Sequence, residues 1–179
     1  MIKKSVRLSL LAMATVATLN AGGVTAEFGA GSEDLGDSYN GTSTPFLFAA
    51  SYNFLNHDSK YILEGRAEFT SSDAFTRMGF GADAGYRFGN ISTKAFAHYT
   101  TLDIDADGFD TGIGLEYKFY TKNNGIRRSL FSSGKEMSYT DFSIGVKYTY
   151  GSYSFTEGAN ADIDYSSVIA YISVCKWSK

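Results

Sequence analysis

The chain has 179 residues, and its 16 lysines and arginines against 19 aspartates and glutamates give a formal net charge of −3. This acidic balance excludes nucleic acid as an expected partner, because phosphate binding needs a basic surface. The single cysteine, Cys175, excludes an intramolecular disulfide, although secreted domains of this size often use several. Thirteen tyrosines, 14 phenylalanines and only one proline favour β-strands.

The start of the chain has the pattern of a secretory signal peptide. A basic segment precedes an apolar run at 8–17, which is too short to span a bilayer, and small residues follow at Ala21 and Ala26. We predict cleavage after Ala21, with Ala26 as the alternative site, because strand-like alternation begins directly after Ala21. Residues 22–179 are expected to form one domain with 13 bases against 19 acids, since cleavage removes Lys3, Lys4 and Arg7.

Beyond the signal peptide, apolar and polar residues alternate with a period of two, as in strands whose successive side chains point to opposite faces. Eight segments show this alternation, and each has about ten residues, the length that a tilted strand needs to cross a bilayer. No run of 18 apolar residues is present, so we expect no membrane-spanning helix. In chain order the segments are 24–30, 46–54, 61–70, 77–88, 91–100, 109–120, 141–150 and 164–174, and the phase of the last one stays open.

The two faces of these segments favour a membrane barrel over a soluble sandwich. Aromatic residues lie near the ends of the apolar faces, as at Phe46 and Phe54, where the aromatic girdles of a membrane barrel would lie. Glycines concentrate on the polar face, where they would leave room in a narrow barrel for arginines and lysines from opposite strands. We therefore predict an all-β fold, an antiparallel up-and-down transmembrane β-barrel with eight strands.

The polar face carries acids and bases in nearly equal number. In a barrel these side chains line the lumen, and we expect them to pair because unpaired buried charges are costly. The prediction is an interior closed by interlocked salt bridges, without an open pore. The predicted lumen network is Glu27, Glu64, Arg66, Glu68, Arg77, Asp83, Arg87, Lys94, His98, Asp110, Glu116, Lys118, Asp141 and Lys147.

Turn residues such as Gly89-Asn90 separate the strands, and an even strand count puts both ends of the chain in the periplasm, with the first strand running outward. One connection disobeys this topology. The segment 122–137 is long and basic, although this topology expects a short periplasmic turn at that position. Either this turn is an exception or the strand count is wrong there. The outer loops on this topology are 31–43, 71–76, 103–108 and 151–163, and they are acidic overall.

The signal peptide, the eight dyad-repeat strands and the charged interior resemble the small outer-membrane barrel family of the OmpA, OmpX and opacity-protein type. The resemblance covers residues 22–179 and identifies an architecture, not a member. It implies export through the periplasm, the barrel-insertion machinery as a partner, and contacts with outer-membrane lipids and lipopolysaccharide. The chain departs from the family at its end, where Trp177 lies two residues before the terminus in place of a terminal aromatic residue.

One group of residues hints at catalysis. His98, Tyr99 and Thr100, with Glu116 on the next strand, offer a base, a hydroxyl and a carboxylate, and outer-membrane lipid A deacylases resemble this in using such groups on a small barrel. Those enzymes use a serine at a site that faces the lipid, whereas the phase of these strands puts His98, Thr100 and Glu116 inside. We therefore predict no catalytic residues and interpret His98 as a hydrogen-bonded lumen residue.

A second motif resembles the opening of a calcium loop. Asp103, Asp105 and Asp107 alternate before Gly108, but the position of the closing glutamate is occupied by Gly114. A weak divalent-ion contact at the three aspartates is a hypothesis, an ordinary acidic hairpin loop is the favoured interpretation, and no firm metal site is predicted. No cofactor is expected.

These observations favour a structural or surface-interaction barrel with outward loops and a largely closed lumen. The alternative is a narrow porin-like channel for ions or small solutes, formed if the internal ion pairs rearrange. A lipid-modifying barrel enzyme and a soluble lipocalin-like binder, with its apolar face turned inward, are weaker alternatives. We expect a monomer, and the sequence names no extracellular ligand.

Overall fold

The computed structural model describes residues 22–36, 41–128, 135–155 and 163–178, so the predicted signal peptide at 1–21 lies outside the described residues. In the described part no helix is long and apolar enough to cross a membrane. The strands are β1 (Gly22–Asp34), β2 (Thr42–Ser43), β3 (Phe46–Asn53), β4 (Tyr61–Ser71), β5 (Thr76–Phe88), β6 (Ile91–Leu102), β7 (Ala106–Arg128), β8 (Lys135–Phe155) and β9 (Ile163–Ser178).

The strands form one antiparallel sheet that closes on itself. Apart from the two-residue β2, which pairs only with Glu33 and Asp34 of β1, neighbours in the sheet are neighbours in the chain. β1 also pairs with β9, from Gly22 opposite Ser178 to Asp34 opposite Ser166, and this closes the barrel. The prediction of an eight-stranded antiparallel up-and-down barrel is therefore confirmed.

The barrel has two ends, which we name by what they carry. The terminal end holds the start of β1, the end of β9 and the connections 54–60 and 89–90, whereas the loop end holds the connections 72–75 and 103–105. At the terminal end Gly89 has φ of 64°, as the first central residue of a type II′ hairpin requires. At the loop end Asp105 has φ of 56°, the left-handed residue that closes a three-residue hairpin loop.

The apolar face of the strands points away from the barrel axis. In mid-barrel Ile113 is 65 % exposed and belongs to a continuous apolar surface with Leu115, Ile144 and Val146, which suits a lipid environment. Exposed aromatic residues lie on either side of this apolar band, as the girdle prediction expects. They include Tyr61, Phe88, Tyr117 and Phe119 towards the terminal end, and Phe46, Phe69, Tyr99 and Phe109 towards the loop end.

Most of the predicted connection at 122–137 is strand, and residues 129–134 lie outside the described part of the chain. β7 continues to Arg128 and β8 begins at Lys135, so the two strands form a hairpin that extends well past the neighbouring strands at the terminal end. The register shifts between Lys118 and Tyr120 and again between Asn123 and Ile126. Such bulges let the long hairpin twist. The strand count of eight therefore holds, and the doubt raised by this segment is removed.

Three predicted boundaries were wrong because strand alternation continues into the expected loops. β1 runs to Asp34 instead of ending at residue 30, the loop predicted at 103–108 is only the turn 103–105, and β8 reaches Phe155. The phase left open for the last segment is also settled, because Tyr165, Ile169 and their odd-numbered neighbours in β9 point inward.

Candidate functional site

The structure places all fourteen residues of the predicted lumen network on the inward face of the barrel. Eleven of them are buried, and Arg87, Glu116 and Lys118, near the terminal end, are partly buried. They form layers along the barrel axis. We describe the middle of the lumen first, because it decides whether the barrel is open.

The centre of the lumen is organised around Arg66, whose guanidinium contacts three carboxylates from three strands. Nη2 donates to Glu27 at 2.7 Å, Nε donates to Glu68 at 3.0 Å, and Nη1 lies 3.7 Å from Asp83. Lys147 reaches the same Glu68 from β8, with Nζ at 2.6 Å from Oε2. Because β1, β4, β5 and β8 are joined through this cluster, it spans the barrel from wall to wall.

His98 belongs to this central cluster. It is 1 % exposed, its Nε2 lies 2.8 Å from Asp83 Oδ1, and its ring stacks on Phe96. The residues grouped with it as a possible catalytic set are not brought together. Tyr99 is exposed on the outer face, Thr100 donates to Asp110 at 3.0 Å, and Glu116 lies in the next layer towards the terminal end.

That next layer is organised by Lys94. Its Nζ lies 3.2 Å from Glu64 and 3.8 Å from Glu116, and Glu64 also accepts hydrogen bonds from Asn53 and Ser51. Between this layer and the terminal end lies a polar cavity of about 40 Å³. A cavity needs about 10–15 Å³ of such volume to hold one water, so this one has room for a few waters.

At the terminal end the turn between β3 and β4 folds under the lumen. His57 of this turn stacks on Tyr139, with ring centroids 4.8 Å apart, and meets the edge of Trp177 at 5.4 Å. Its Nε2 lies 3.3 Å from Asp141, which also accepts a hydrogen bond from the Trp177 indole at 2.9 Å. Arg87 lies over the Trp177 ring and donates to the Ser59 carbonyl at 2.9 Å, so the turn is held at several points.

The carboxylate of Asp141 stabilises the imidazolium form and raises the pKa of His57 above its ordinary value, and Asp58 acts in the same direction. Burial of the ring and the nearby Lys118 act in the opposite direction. Alternation identified Asp141 and Lys118 as lumen residues and assigned no role to His57. Alternation gives no signal for a turn that folds back, so the role of His57 was not predictable from its neighbours.

The loop end is closed by a different kind of contact. An apolar cluster fills it, and inside this cluster the Arg77 guanidinium lies 4.1 Å from the Tyr165 ring and forms an ion pair with Glu33. Glu33 is fully buried, although the sequence placed it among the acidic loop residues. The signal that could have found it is the continued alternation of β1. The buried members of the cluster are Leu35, Phe75, Leu102, Ala106, Tyr153, Ile163 and Tyr165.

The lumen contains little empty space. The central layer around Arg66 and His98 encloses a cavity of about 10 Å³, which is about the room of a single water. Glycines on the inward face were predicted to leave room for arginines and lysines. Instead, aromatic rings occupy much of the space beside them. Tyr171 covers Gly145, Phe96 covers Gly112 and Tyr165 covers Gly151. The interior is therefore filled by rings as well as by ion pairs.

The three aspartates of the calcium-like motif point to different partners. Asp103 accepts a hydrogen bond from the Thr76 backbone at 3.1 Å, and Asp107 accepts one from the Tyr99 hydroxyl on the outer face. Asp105 is the left-handed residue of the turn. Within the described ranges no three histidines, cysteines, aspartates or glutamates are grouped so that they could hold a metal ion.

No protein-family model matches the chain, and no curated protein matches it. Solved structures match over most of its length. The outer membrane enzyme PagL has a TM-score of 0.52 at 13 % identity, covering 83 % of this chain and 97 % of that one. A de novo designed transmembrane β-barrel has a TM-score of 0.49 at 14 % identity, covering 84 % and 95 %. Neisserial surface protein A has a TM-score of 0.46 at 16 % identity, covering 86 % and 96 %. At such identities the likeness concerns the fold alone, which is that of a small outer-membrane barrel.

Proposed function

We propose, on the premise that this chain has the fold of the small eight-stranded outer-membrane β-barrels, that it resides in the bacterial outer membrane as a structural or surface-interaction protein with a closed lumen. The terminal end then faces the periplasm, and the loop end faces the outside. The barrel serves as a rigid anchor, and the connections at the loop end are the part that meets partners.

The observation that carries this proposal is the filled interior. Arg66, Lys147 and their carboxylate partners join opposite walls, and among the described residues the central cavity of about 10 Å³ is too small for a hydrated ion. The apolar cluster with Leu102 and Tyr153 covers the loop end, and the turn with His57 covers the terminal end. A barrel closed at three levels is suited to anchoring.

The loop end offers an acidic surface to partners. Its exposed acids in the described residues are Asp34, Asp73, Asp103, Asp105 and Asp164. Carboxylates at the loop end can bind divalent cations that also bind the phosphates of lipopolysaccharide. Lipopolysaccharide is therefore the partner proposed for this end. Assembly by the barrel-insertion machinery and a monomeric state complete the proposal. No catalytic role is proposed, because His98 is enclosed in the lumen with Asp83.

A narrow channel is the second candidate, and one observation favours it. The polar cavity of about 40 Å³ lies between Lys94 and the terminal end, so the periplasmic half of the lumen is already hydratable. Conduction would require the ion pairs around Arg66 to rearrange and the apolar cluster at the loop end to separate.

Location and orientation are tested by cysteine labelling in intact bacteria. In a Cys175→Ser background, Asp73→Cys puts a thiol in an exposed turn at the loop end, and Asn90→Cys puts one in an exposed turn at the terminal end. A membrane-impermeant maleimide is expected to label Asp73→Cys in intact cells, and Asn90→Cys only after the outer membrane is permeabilised. The reverse pattern, or equal labelling of both, would contradict the proposed orientation.

A further inference from the structure

The outer surface of the barrel carries charges of opposite sign at its two ends. In the described part of the chain, the exposed charges at the loop end are acids, whereas Lys60, Lys122 and Lys176 are exposed at the terminal end. The exposed acid there, Asp58, lies 3.1 Å from His57. The terminal end therefore presents a cationic rim at the height of a membrane interface.

Two of these lysines lie in one row across three strands. Thr140 of β8 is the register partner of Lys122 in β7 and also of Lys176 in β9. Neighbouring strands are about 4.8 Å apart, so the two lysines flank Thr140 at a separation of about 10 Å. Among the described residues neither lysine has a carboxylate within 4.0 Å, and Thr140 accepts a hydrogen bond from Asn124 at 2.8 Å. The row is thus polar, cationic and without an acidic partner in the described chain.

Directly above this row, towards mid-barrel, the outer surface becomes aromatic and then apolar. Tyr120 and Phe142 form an aromatic pair with ring centroids 5.8 Å apart, two residues along β7 and β8 from Lys122 and Thr140. Further along the same strands an apolar groove opens over Ala170. The large side chains on its sides are Phe28, Leu115, Tyr117, Ile144, Val146 and Ile172.

We infer that this face binds an anionic phospholipid of the inner leaflet, with its phosphodiester between Lys122 and Lys176 and an acyl chain along the groove over Ala170. From Thr140 to Ile144 the strand rises about 13 Å, which suits the step from a phosphate to the acyl region. Lipopolysaccharide does not fit this site, because it belongs to the opposite leaflet, beside the acidic end. The inference rests on the proposed membrane location and goes beyond it.

The test is native mass spectrometry of the folded full chain in detergent, titrated with phosphatidylglycerol or phosphatidylcholine of the same acyl chains. Wild type is expected to bind the first phosphatidylglycerol about tenfold more tightly than phosphatidylcholine, since each lysine near a membrane surface attracts anionic lipid. Lys122→Gln and Lys176→Gln should each reduce this ratio about threefold, and the double variant should bring it close to one. Lys60→Gln removes the same charge at the same end, away from the groove, and should keep the wild-type ratio.

Insertion of the same preparations into phosphatidylcholine vesicles is measured in parallel. This control distinguishes a chain that does not enter a membrane from one that enters it without preferring the anionic lipid. A chain that inserts but binds both lipids equally overturns the inference alone. Equal loss in Lys60→Gln and in the two row variants also overturns it, because any cation would then suffice. A folded chain that does not enter vesicles overturns both the inference and the proposed location.

Discussion

Arg66 is the residue on which the closed lumen depends most. Its guanidinium contacts Glu27, Glu68 and Asp83, so Arg66→Met leaves three buried carboxylates with one cationic partner fewer. Breaking a buried ion pair from one side costs about 3–5 kcal/mol, because the remaining charge is uncompensated. We expect Arg66→Met to lower the free energy of unfolding in lipid vesicles by about this amount, measured by urea titration.

Lys60→Met is the matched control, because Lys60 is exposed in a turn at the terminal end. Its effect is expected to stay within about 0.5 kcal/mol. If the two variants unfold at the same urea concentration, the central cluster does not hold the barrel together.

His57 makes stability at the terminal end depend on pH. Asp141 raises the pKa of His57 in the folded state, so folding favours the protonated ring. The stabilisation is complete below the pKa of a free histidine, about 6.5, and is lost as the pH rises through the higher folded pKa. The stability difference between wild type and His57→Gln, followed by urea unfolding from pH 5 to 9, should be largest at acidic pH and decline above neutrality.

A difference that is constant over this range, or larger at alkaline pH, would contradict the ion pair between His57 and Asp141. Asp141→Asn in the wild-type background serves as the control, because it removes the group that raises the His57 pKa and should flatten the same profile.

Side-chain direction was the most predictable property at the residue scale. Period-two alternation identified the inward face for residues as far apart as Glu27 and Lys147, since each strand residue has only two possible faces. The pairing of the charges was not predictable, because it joins residues that are far apart in the chain. Lys147, for example, contacts Glu68, which lies 79 residues earlier. That contact forms only when the barrel is closed. The contacts of His57 form only because the turn 54–60 folds back beneath the lumen.

Among the strands, β8 and β9 are also in contact through a ring that lies over a glycine. Tyr171 of β9 covers Gly145 of β8, and a Cβ at this position would clash with the ring. Gly145→Ala should therefore lower the free energy of unfolding by about 1–3 kcal/mol, as overpacking does in other cores. Equilibrium unfolding of the refolded barrel measures this change.

Gly114→Ala is the matched substitution on the same inward face, where the nearest atom to a new Cβ is 3.8 Å away. It is expected to be nearly neutral. In a Tyr171→Ala background the cost of Gly145→Ala should largely disappear, because the clash is removed. A cost that persists there would show that the backbone, and not the ring, makes glycine necessary.

The hairpin of β7 and β8 shows where sequence reasoning about elements failed. The segment from Lys118 to Tyr139 lost its alternation because two register shifts change which face each residue occupies. A bulge inserts one extra residue into one strand. The alternation of inward and outward side chains therefore changes phase across the bulge. The polar residues beyond Tyr120 then looked like a loop, although they continue the ladder.

At the scale of the whole molecule, the sequence predicted eight strands and closure, but alternation alone could not choose the direction of the apolar face, which was predicted from the aromatic girdles and the glycines of the polar face. The same alternation suits a lipocalin-like barrel with its apolar side chains inside. The structure decides this, because Ile113, Phe109 and their neighbours are exposed while Glu27 and Arg66 are enclosed. An interior of paired charges within an apolar exterior is the arrangement of a membrane barrel.

The barrel is proposed to span the membrane without conducting ions. Single-channel recording of the refolded full chain in a planar bilayer tests it, with folded insertion verified on the same sample and a Glu64→Gln/Arg66→Gln variant recorded beside it. We expect a silent wild type and at most brief openings in the variant, because its Lys94 and Glu27 contacts lose partners while the apolar cluster still covers the loop end. Steady conductance steps from the inserted wild type would contradict the closed lumen and establish the narrow channel in its place.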